Sequence, residues 1–159
     1  MFTKRNFLIA AVIVFITFII AFVAFSTPAA APDAATGVPK PTGSALPTTI
    51  EVADTQATRA QGLSGRDALA GDSGMLFVFG SDDRHGFWMK DMKFAIDILW
   101  LGADGTIVDV ASNVGPDTYP TIFEPAQPAR FVLEVPAGYT ATRGWGIGTR
   151  LELGEYAPD

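Results

Sequence analysis

The stretch Gly74–Leu101, GMLFVFGSDDRHGFWMKDMKFAIDILWL, decides the fold of this 159-residue chain. It opens with Met75–Phe79, a continuous apolar run that is typical of a strand buried on both faces. A polar loop follows, and then the short apolar segments Phe87–Met89 and Phe94–Leu101 predict two further strands. Apolar runs this short, bounded by polar residues and glycine, indicate β-structure.

Before this stretch, the chain predicts one strand and one short helix. Thr49–Ala53 has the composition of a strand. Asp54 or Thr55 can cap a helix over Gln56–Gln61, because a side-chain oxygen at this position accepts from the free N–H groups of the first turn. Gly62 would end that helix.

After this stretch, short strands continue to the end of the chain. A tight turn at Ala103-Asp104-Gly105 precedes three more predicted strands, Thr106–Val110, Ala129–Val135 and Arg150–Leu153. Many short strands punctuated by Gly and Pro predict a mostly β domain over residues 49–156. We expect a compact antiparallel sandwich or jelly-roll-like barrel with one or two short helices.

The N-terminal 25 residues predict a signal anchor or a signal peptide. Phe7–Phe25 contains no charge and follows Lys4 and Arg5. As a helix it would be roughly 28 Å long, close to the thickness of a bilayer core. Its length favours an uncleaved membrane anchor, whereas the small residues up to Ala31 favour cleavage and secretion. In both cases the basic flank places the rest of the chain outside the cytoplasm, periplasmic or at the cell surface.

Residues 26–48 predict a disordered linker. The segment is rich in Pro and Ala, with Gly, Ser and Thr between them. Such a composition buries too little apolar surface to offset the entropy cost of ordering the chain. The linker would then tether the domain to the membrane.

Composition excludes several classes of function. The formal net charge is −6, and beyond the apolar segment 9 Lys and Arg stand against 17 Asp and Glu. An acidic surface repels phosphate backbones, so nucleic acid is not an expected partner, whereas a cationic or neutral ligand is easier to accommodate. The absence of cysteine excludes disulfides, thiolate nucleophiles and cysteine-based metal sites.

One charged residue lies inside an apolar strand. In Phe94–Leu101 the alternation of side chains places Asp97 on the same face as Leu99, where Asp is disfavoured. A buried carboxylate needs a partner, and we expect Asp97 to pair with Arg130 or Lys90 across the sheet. The alternative is a solvated position at a sheet edge.

A second polar cluster surrounds the only histidine. His85, Trp88, Lys90 and Asp91 are compatible with a binding or acid–base site at the mouth of the sheet. A solvated loop that packs one tryptophan is the simpler interpretation of the same residues. The spacing matches no metal-binding motif and no nucleophile motif, so neither a metal nor another cofactor is expected.

Several motifs in a fixed order resemble the family called domain of unknown function 192. They are IEVADTQATRAQGLSGR, GMLFVF, FWMKDMKFAIDILWL, ADGTIVDV, YP, ARFVLEVPAG and GIGTRLEL. The resemblance implies a compact, mostly β domain that is often exported or membrane-tethered, without an established activity. The residues that match the family's polar pattern are Trp88, Lys90, Asp97, Tyr119, Pro120, Arg130 and Glu134.

The chain also departs from the family's pattern. Asp91 stands where the family usually has Asn, and Ala95 stands where Pro is common. The loop before Tyr119 lacks the cysteine pair of many relatives, so the resemblance implies a looser loop here.

The leading functional hypothesis is a membrane-tethered binding or accessory module for a small polar ligand or a cell-envelope partner. This hypothesis assigns a catalytic role to none of the residues. The candidate ligand-binding residues are Trp88, Lys90, Asp97, Tyr119, Arg130 and Glu134. One alternative is a hydrolase that uses Asp97 or Glu134 with His85 or Lys90, and another is a structural scaffold without a site.

Overall fold

The computed structural model describes residues 44–156. The predicted signal anchor or signal peptide, and the linker up to residue 43, lie outside the described residues. Within the described range, no helix is both long and apolar enough to cross a bilayer.

Seven strands and two short helices make up the described domain. In chain order they are β1 Ser44–Ala45, β2 Thr49–Ala53, α1 Gln56–Gln61, β3 Ser73–Asp83, β4 Ile96–Leu101, β5 Ile107–Val114, β6 Ala129–Pro136, α2 Tyr139–Arg143 and β7 Leu151–Glu152. Two 3₁₀ turns, Pro116–Thr118 and Gly154–Tyr156, complete the secondary structure. β1 lies inside the segment predicted as linker.

Five of the strands form one open sheet in the order β2-β3-β6-β4-β5. All neighbours are antiparallel except β2 and β3, which are parallel. β1 and β7 form a separate two-stranded parallel sheet. The prediction of a mostly β fold with short helices is confirmed. The sheet does not close into the expected jelly-roll-like barrel, because β2 and β5 lie at its opposite edges and do not pair with each other.

Both faces of the five-stranded sheet are apolar, which explains the continuous apolar runs in β3, β4 and β6. On the first face, α1 and the segments beside it cover a core that includes Met75, Phe77, Ile98, Trp100 and Val132. On the second face, α2 and β7 cover a core that includes Leu76, Leu99, Leu133, Val135, Trp145 and Leu151. Alternation of side chains along each strand therefore supplies both layers.

The helix α1 begins and ends where its sequence predicts. The Thr55 hydroxyl accepts from the backbone N–H of Thr58 at 3.1 Å, and the Thr58 hydroxyl accepts from the N–H of Thr55 at 3.0 Å. This reciprocal capping satisfies two N–H groups that the first turn leaves free. Gly62 ends the helix with a positive φ of 50°, a conformation that glycine adopts without strain.

A covering loop, residues 84–95, connects β3 to β4 over the first face. The predicted strand Phe87–Met89 is wrong: Phe87 forms a single β-bridge with Phe123, and no ladder continues from it. The loop is held down by the Trp100 indole, which donates to the carbonyl oxygen of His85 at 2.8 Å.

Candidate functional site

A cavity of about 280 Å³ lies on the first face of the sheet, beneath α1 and the covering loop. β3 contributes Phe77 and Phe79, and the covering loop contributes His85, Phe87 and Trp88. The C-terminal half of α1 and the turn after it form the opposite wall. One acidic residue, Glu134 of β6, also lines the cavity.

The position of Glu134 follows from the strand register. It lies opposite Met75 of β3 and Ile98 of β4, in the centre of the sheet. Its side chain therefore points to the same face as these two apolar residues. Glu134 is only 5% exposed, and its Oε2 has no hydrogen-bond partner among residues 44–156. Buried polar atoms are nearly always hydrogen-bonded, so this oxygen is an exception that needs a reason.

Burial controls the protonation of Glu134. Loss of hydration raises the pKa of Glu134 to about 8, and the positive charge of Arg66 lowers it by less. The Arg66 guanidinium is committed to Glu51, with Nη1–Oε1 at 2.5 Å and Nη2–Oε2 at 2.8 Å. Near neutral pH the Glu134 carboxyl is therefore mostly protonated, so it can donate as well as accept a hydrogen bond.

Aromatic rings line the same cavity as this carboxyl. Phe77 and Phe87 pack edge to face with centroids 4.8 Å apart, and His85 stacks on Phe79 at 3.5 Å. The His85 Nε2 lies 3.2 Å from the carbonyl oxygen of Ser81. His85 is thus held as part of the wall, by stacking and by a backbone contact.

Arg59 of α1 closes one end of the cavity without presenting a free charge. Its Nη1 donates to the carbonyl oxygens of Asp54 at 2.5 Å and Val78 at 2.9 Å. The guanidinium also lies 5.2 Å above the centroid of the Phe79 ring. These contacts anchor α1 to β3, so the main role of Arg59 is to hold the wall of the cavity in place.

Three predicted site residues meet at the opening of the cavity and form an aromatic rim. Trp88 lines the cavity yet is 50% exposed, and its ring lies 5.8 Å from that of Tyr119, which is 46% exposed. The Lys90 ammonium lies 6.0 Å above the Trp88 ring. Trp88 therefore belongs both to the rim and to the lining of the cavity that contains Glu134.

The expected pairing of Asp97 with Arg130 or Lys90 is wrong. Asp97 is opposite Val135 in the β4–β6 ladder, so its side chain points to the second face, away from the cavity. It is 0% exposed, and its oxygens accept from the backbone N–H groups of Asn113, Gly138 and Thr140. The Thr140 hydroxyl adds a fourth bond at 2.7 Å. Uncharged donors satisfy this carboxylate, so no cation is required.

Arg130 also lies apart from the candidate site. Its Nε donates to the Asp82 carboxylate at 2.6 Å, in a partly exposed ion pair near the end of β3. The structure therefore places Trp88 and Glu134 in the lining of one cavity, with Lys90 and Tyr119 beside Trp88. It separates Asp97 and Arg130 from them.

Several cavity residues escaped prediction from the sequence. They are Phe77, Phe79, Phe87, Met92 and Arg59. Met75, Phe77 and Phe79 occupy every second position of one strand, and this spacing indicates that their side chains share a face. No comparable signal marks the others, because they reach the cavity from separate segments. Within residues 44–156, no group of three or more acidic or histidine residues could hold a metal ion.

Comparison with known proteins finds solved structures of similar fold, and it establishes no activity for this chain. One solved structure, of a protein described as a candidate transcription regulator from Sinorhizobium meliloti 1021, shares 37% identity with a TM-score of 0.62. It covers 65% of this chain and 79% of its own. A protein of unknown function from Novosphingobium aromaticivorans DSM 12444 shares 33% identity with a TM-score of 0.62, over 65% of this chain and 73% of its own.

No curated protein matches the chain. The sequence profile of domain of unknown function 192, described as an uncharacterized ACR, matches residues 38–153. This match spans well over half of the chain and confirms the resemblance carried by its motifs, so the chain belongs to the DUF192 family.

Proposed function

We propose that this protein is a membrane-tethered binding module that takes a small polar ligand into the cavity beside Glu134, outside the cytoplasm. The observation that carries the proposal is the unpartnered, buried Oε2 of Glu134, a residue in the lining of a cavity that also has aromatic walls. An apolar pocket with a few convergent polar groups is the usual form of a small-molecule site.

The unpartnered oxygen of Glu134 costs the folded domain free energy while the cavity is empty. A buried polar group without a hydrogen bond costs about 1–3 kcal/mol. A ligand that brings one matching polar group removes this cost, while its apolar part packs against the rings of Phe77 and Phe87. A cavity of about 280 Å³ suits a ligand of little more than one ring.

The cellular placement in this proposal rests on the N-terminal sequence. Phe7–Phe25 is long enough to anchor the chain, and the linker that follows is long enough to hold the domain clear of the bilayer. The acidic excess beyond the anchor supports a ligand or envelope partner over nucleic acid.

A hydrolase is the second candidate, because a carboxyl with a raised pKa in a cavity is a feature of general acids. The geometry favours binding instead. Asp97 points to the opposite face of the sheet, and the His85 Nε2 is directed to the Ser81 carbonyl oxygen. The Lys90 ammonium lies over the exposed Trp88 ring, and Lys90 does not line the cavity. No second acid or base is therefore seen to converge on Glu134 among the described residues.

The test uses the full chain in lipid nanodiscs, with ligand binding followed by tryptophan fluorescence and by NMR shifts of the Phe77, Phe87 and Trp88 rings. Polar fragments of one ring should shift these signals. The variant Glu134→Leu should lose this binding, yet its free energy of unfolding should rise by about 1–3 kcal/mol because it removes the unpartnered carboxyl.

Glu152→Gln, at the exposed position of β7, serves as the control and should bind as the wild type does. If no fragment shifts the cavity signals, or if Glu134→Leu binds as well as the wild type, the cavity is not the ligand site.

A further inference from the structure

The chemical class of the ligand can be argued from the surroundings of Glu134, given the binding function proposed above. We infer that the cavity takes an organic monocation, with an ammonium group against the Glu134 carboxyl and an apolar body against the aromatic wall. Three features of the site carry this inference.

The first feature is the carboxyl itself. Oε2 of Glu134 is buried and lacks a partner among residues 44–156, and the residue lies in the middle of the sheet. An anionic ligand would be repelled once this group ionises. An ammonium group supplies several donors and a compensating charge in a site shielded from water.

The second feature is the wall. Phe77, Phe79, Phe87 and Trp88 all line the cavity. The negative face of an aromatic ring attracts a cation within about 6 Å, and tryptophan does so most strongly. Lys90 already lies 6.0 Å above the exposed Trp88 ring, which shows that this ring accommodates an ammonium group.

The third feature is the state of the nearby charges. Arg66 is tied to Glu51 through two hydrogen bonds, and Arg59 is tied to backbone carbonyl oxygens. His85 is stacked on Phe79. β3 and β4 place only Met75 and Ile98 directly beside Glu134. Each described cation near Glu134 is thus engaged elsewhere, and the carboxyl is left for a ligand.

The inferred binding mode predicts a measurable release of protons and a pH-dependent affinity. The empty site holds a neutral carboxylic acid near pH 7, and the bound state pairs a carboxylate with an ammonium ion. Binding of the cation therefore releases one proton from Glu134 to the solvent. The affinity should rise about tenfold per pH unit between pH 6 and pH 7.5 and level off near pH 8.

Three probes of similar shape separate the alternatives: benzylammonium, benzyl alcohol and benzoate. We expect calorimetry on the full chain in nanodiscs to show benzylammonium binding at least tenfold more tightly than the other two at pH 8. At pH 6.5, titrations in buffers of different ionisation enthalpy should report close to one proton released per cation bound.

The variant Glu134→Gln should lose the preference for benzylammonium and its pH dependence, while benzyl alcohol binds within about threefold of its wild-type affinity. Glu152→Gln should behave as the wild type. The proton count is measured on the wild type, so it stands even if the Glu134 variant folds poorly.

Each other outcome has a distinct meaning. Tighter binding of benzyl alcohol or benzoate, or a cation affinity that falls with rising pH, would overturn the inference and leave the binding function standing. If none of the three probes binds to a cooperatively folded protein, the inference fails, and the broader fragment screen decides whether the cavity binds any ligand.

Discussion

At the scale of single residues, the domain contains two buried carboxyl groups that it treats in opposite ways. Asp97 accepts four hydrogen bonds from uncharged donors, whereas Glu134 has an oxygen without any partner among the described residues. Full satisfaction of a buried charge is typical of a structural role. An unsatisfied group in a cavity is typical of a binding or catalytic role, and this contrast separates the two carboxyls.

Glu134 should make the stability of the fold depend on pH. Its pKa is 4.5 in the unfolded chain and about 8 in the folded domain, so the unfolded state binds fewer protons between these values. Stability should therefore fall as pH rises, by up to about 1.4 kcal/mol per pH unit. Urea unfolding at pH 5, 6, 7 and 8 measures this slope.

The comparison with Glu134→Gln isolates this contribution, because glutamine does not titrate. The wild-type protein should lose stability relative to the variant from pH 5 to pH 8. Glu152→Gln should keep the wild-type slope. Parallel curves for the wild type and Glu134→Gln would show that Glu134 ionises normally in the folded domain.

Asp97 should contribute to stability and not to ligand binding. Asp97→Ala leaves three N–H donors, one buried and two part-buried, without their acceptor and should cost about 3–5 kcal/mol. Asp97→Asn should also destabilise, because both oxygens accept from N–H groups and the new amide would place a donor against a donor. Denaturant midpoints measure both losses.

The matched control is Asp82→Ala, which removes a carboxylate from the exposed pair with Arg130 and should cost less than about 1 kcal/mol. Equal losses for Asp82→Ala and Asp97→Ala would mean that the hydrogen bonds to Asp97 are not important for the fold. Loss of ligand binding by a well-folded Asp97 variant would place this residue in the site after all.

At the scale of elements, the close packing of β3 against β6 positions Glu134. A Cβ atom added at Gly74 would lie 2.9 Å from the carbonyl oxygen of Glu134 and 3.2 Å from the side chains of Leu133 and Val135. Gly74 is therefore required for the two backbones to approach this closely. The covering loop and α1 then close the cavity over the strand pair.

Gly74→Ala should cost about 1–3 kcal/mol, because an extra methyl group forces the strands apart in a well-packed region. It should also weaken fragment binding, since the backbone of Glu134 must move. Gly80→Ala is the control in the same strand: no atom lies within 4 Å of its added Cβ, so the change should stay within about 0.5 kcal/mol. Chemical denaturation of both variants measures the difference, and equal stabilities would contradict the role given to Gly74.

At the scale of the whole domain, the two faces of the sheet have different tasks. The first face has the cavity, the aromatic rim and Glu134. The second face has a core closed by α2 and β7, with Asp97 tied to the start of α2. The first face can contain the unpartnered Glu134 oxygen because the second face, where Asp97 is fully hydrogen-bonded, contributes to the stability of the fold.

Sequence alone determined most of the local structure. Apolar runs marked β3, β4 and β6, and the Thr55 and Gly62 caps marked both ends of α1, because these signals depend only on neighbours along the chain. It also marked Asp97 as a charge within an apolar strand, and the family resemblance marked Glu134 as a candidate binding residue. The absence of cysteine excluded thiol chemistry, because folding cannot supply a side chain that the sequence lacks.

Only the tertiary structure decided which of these charges form a site. Alternation assigns side chains to two faces within one strand, but the register between strands decides which faces coincide. Asp97 opposite Val135 and Glu134 opposite Ile98 place the two carboxyls on opposite faces. The cavity joins Arg59, Phe79, Phe87 and Glu134, which are far apart along the chain, and no local pattern encodes such a meeting.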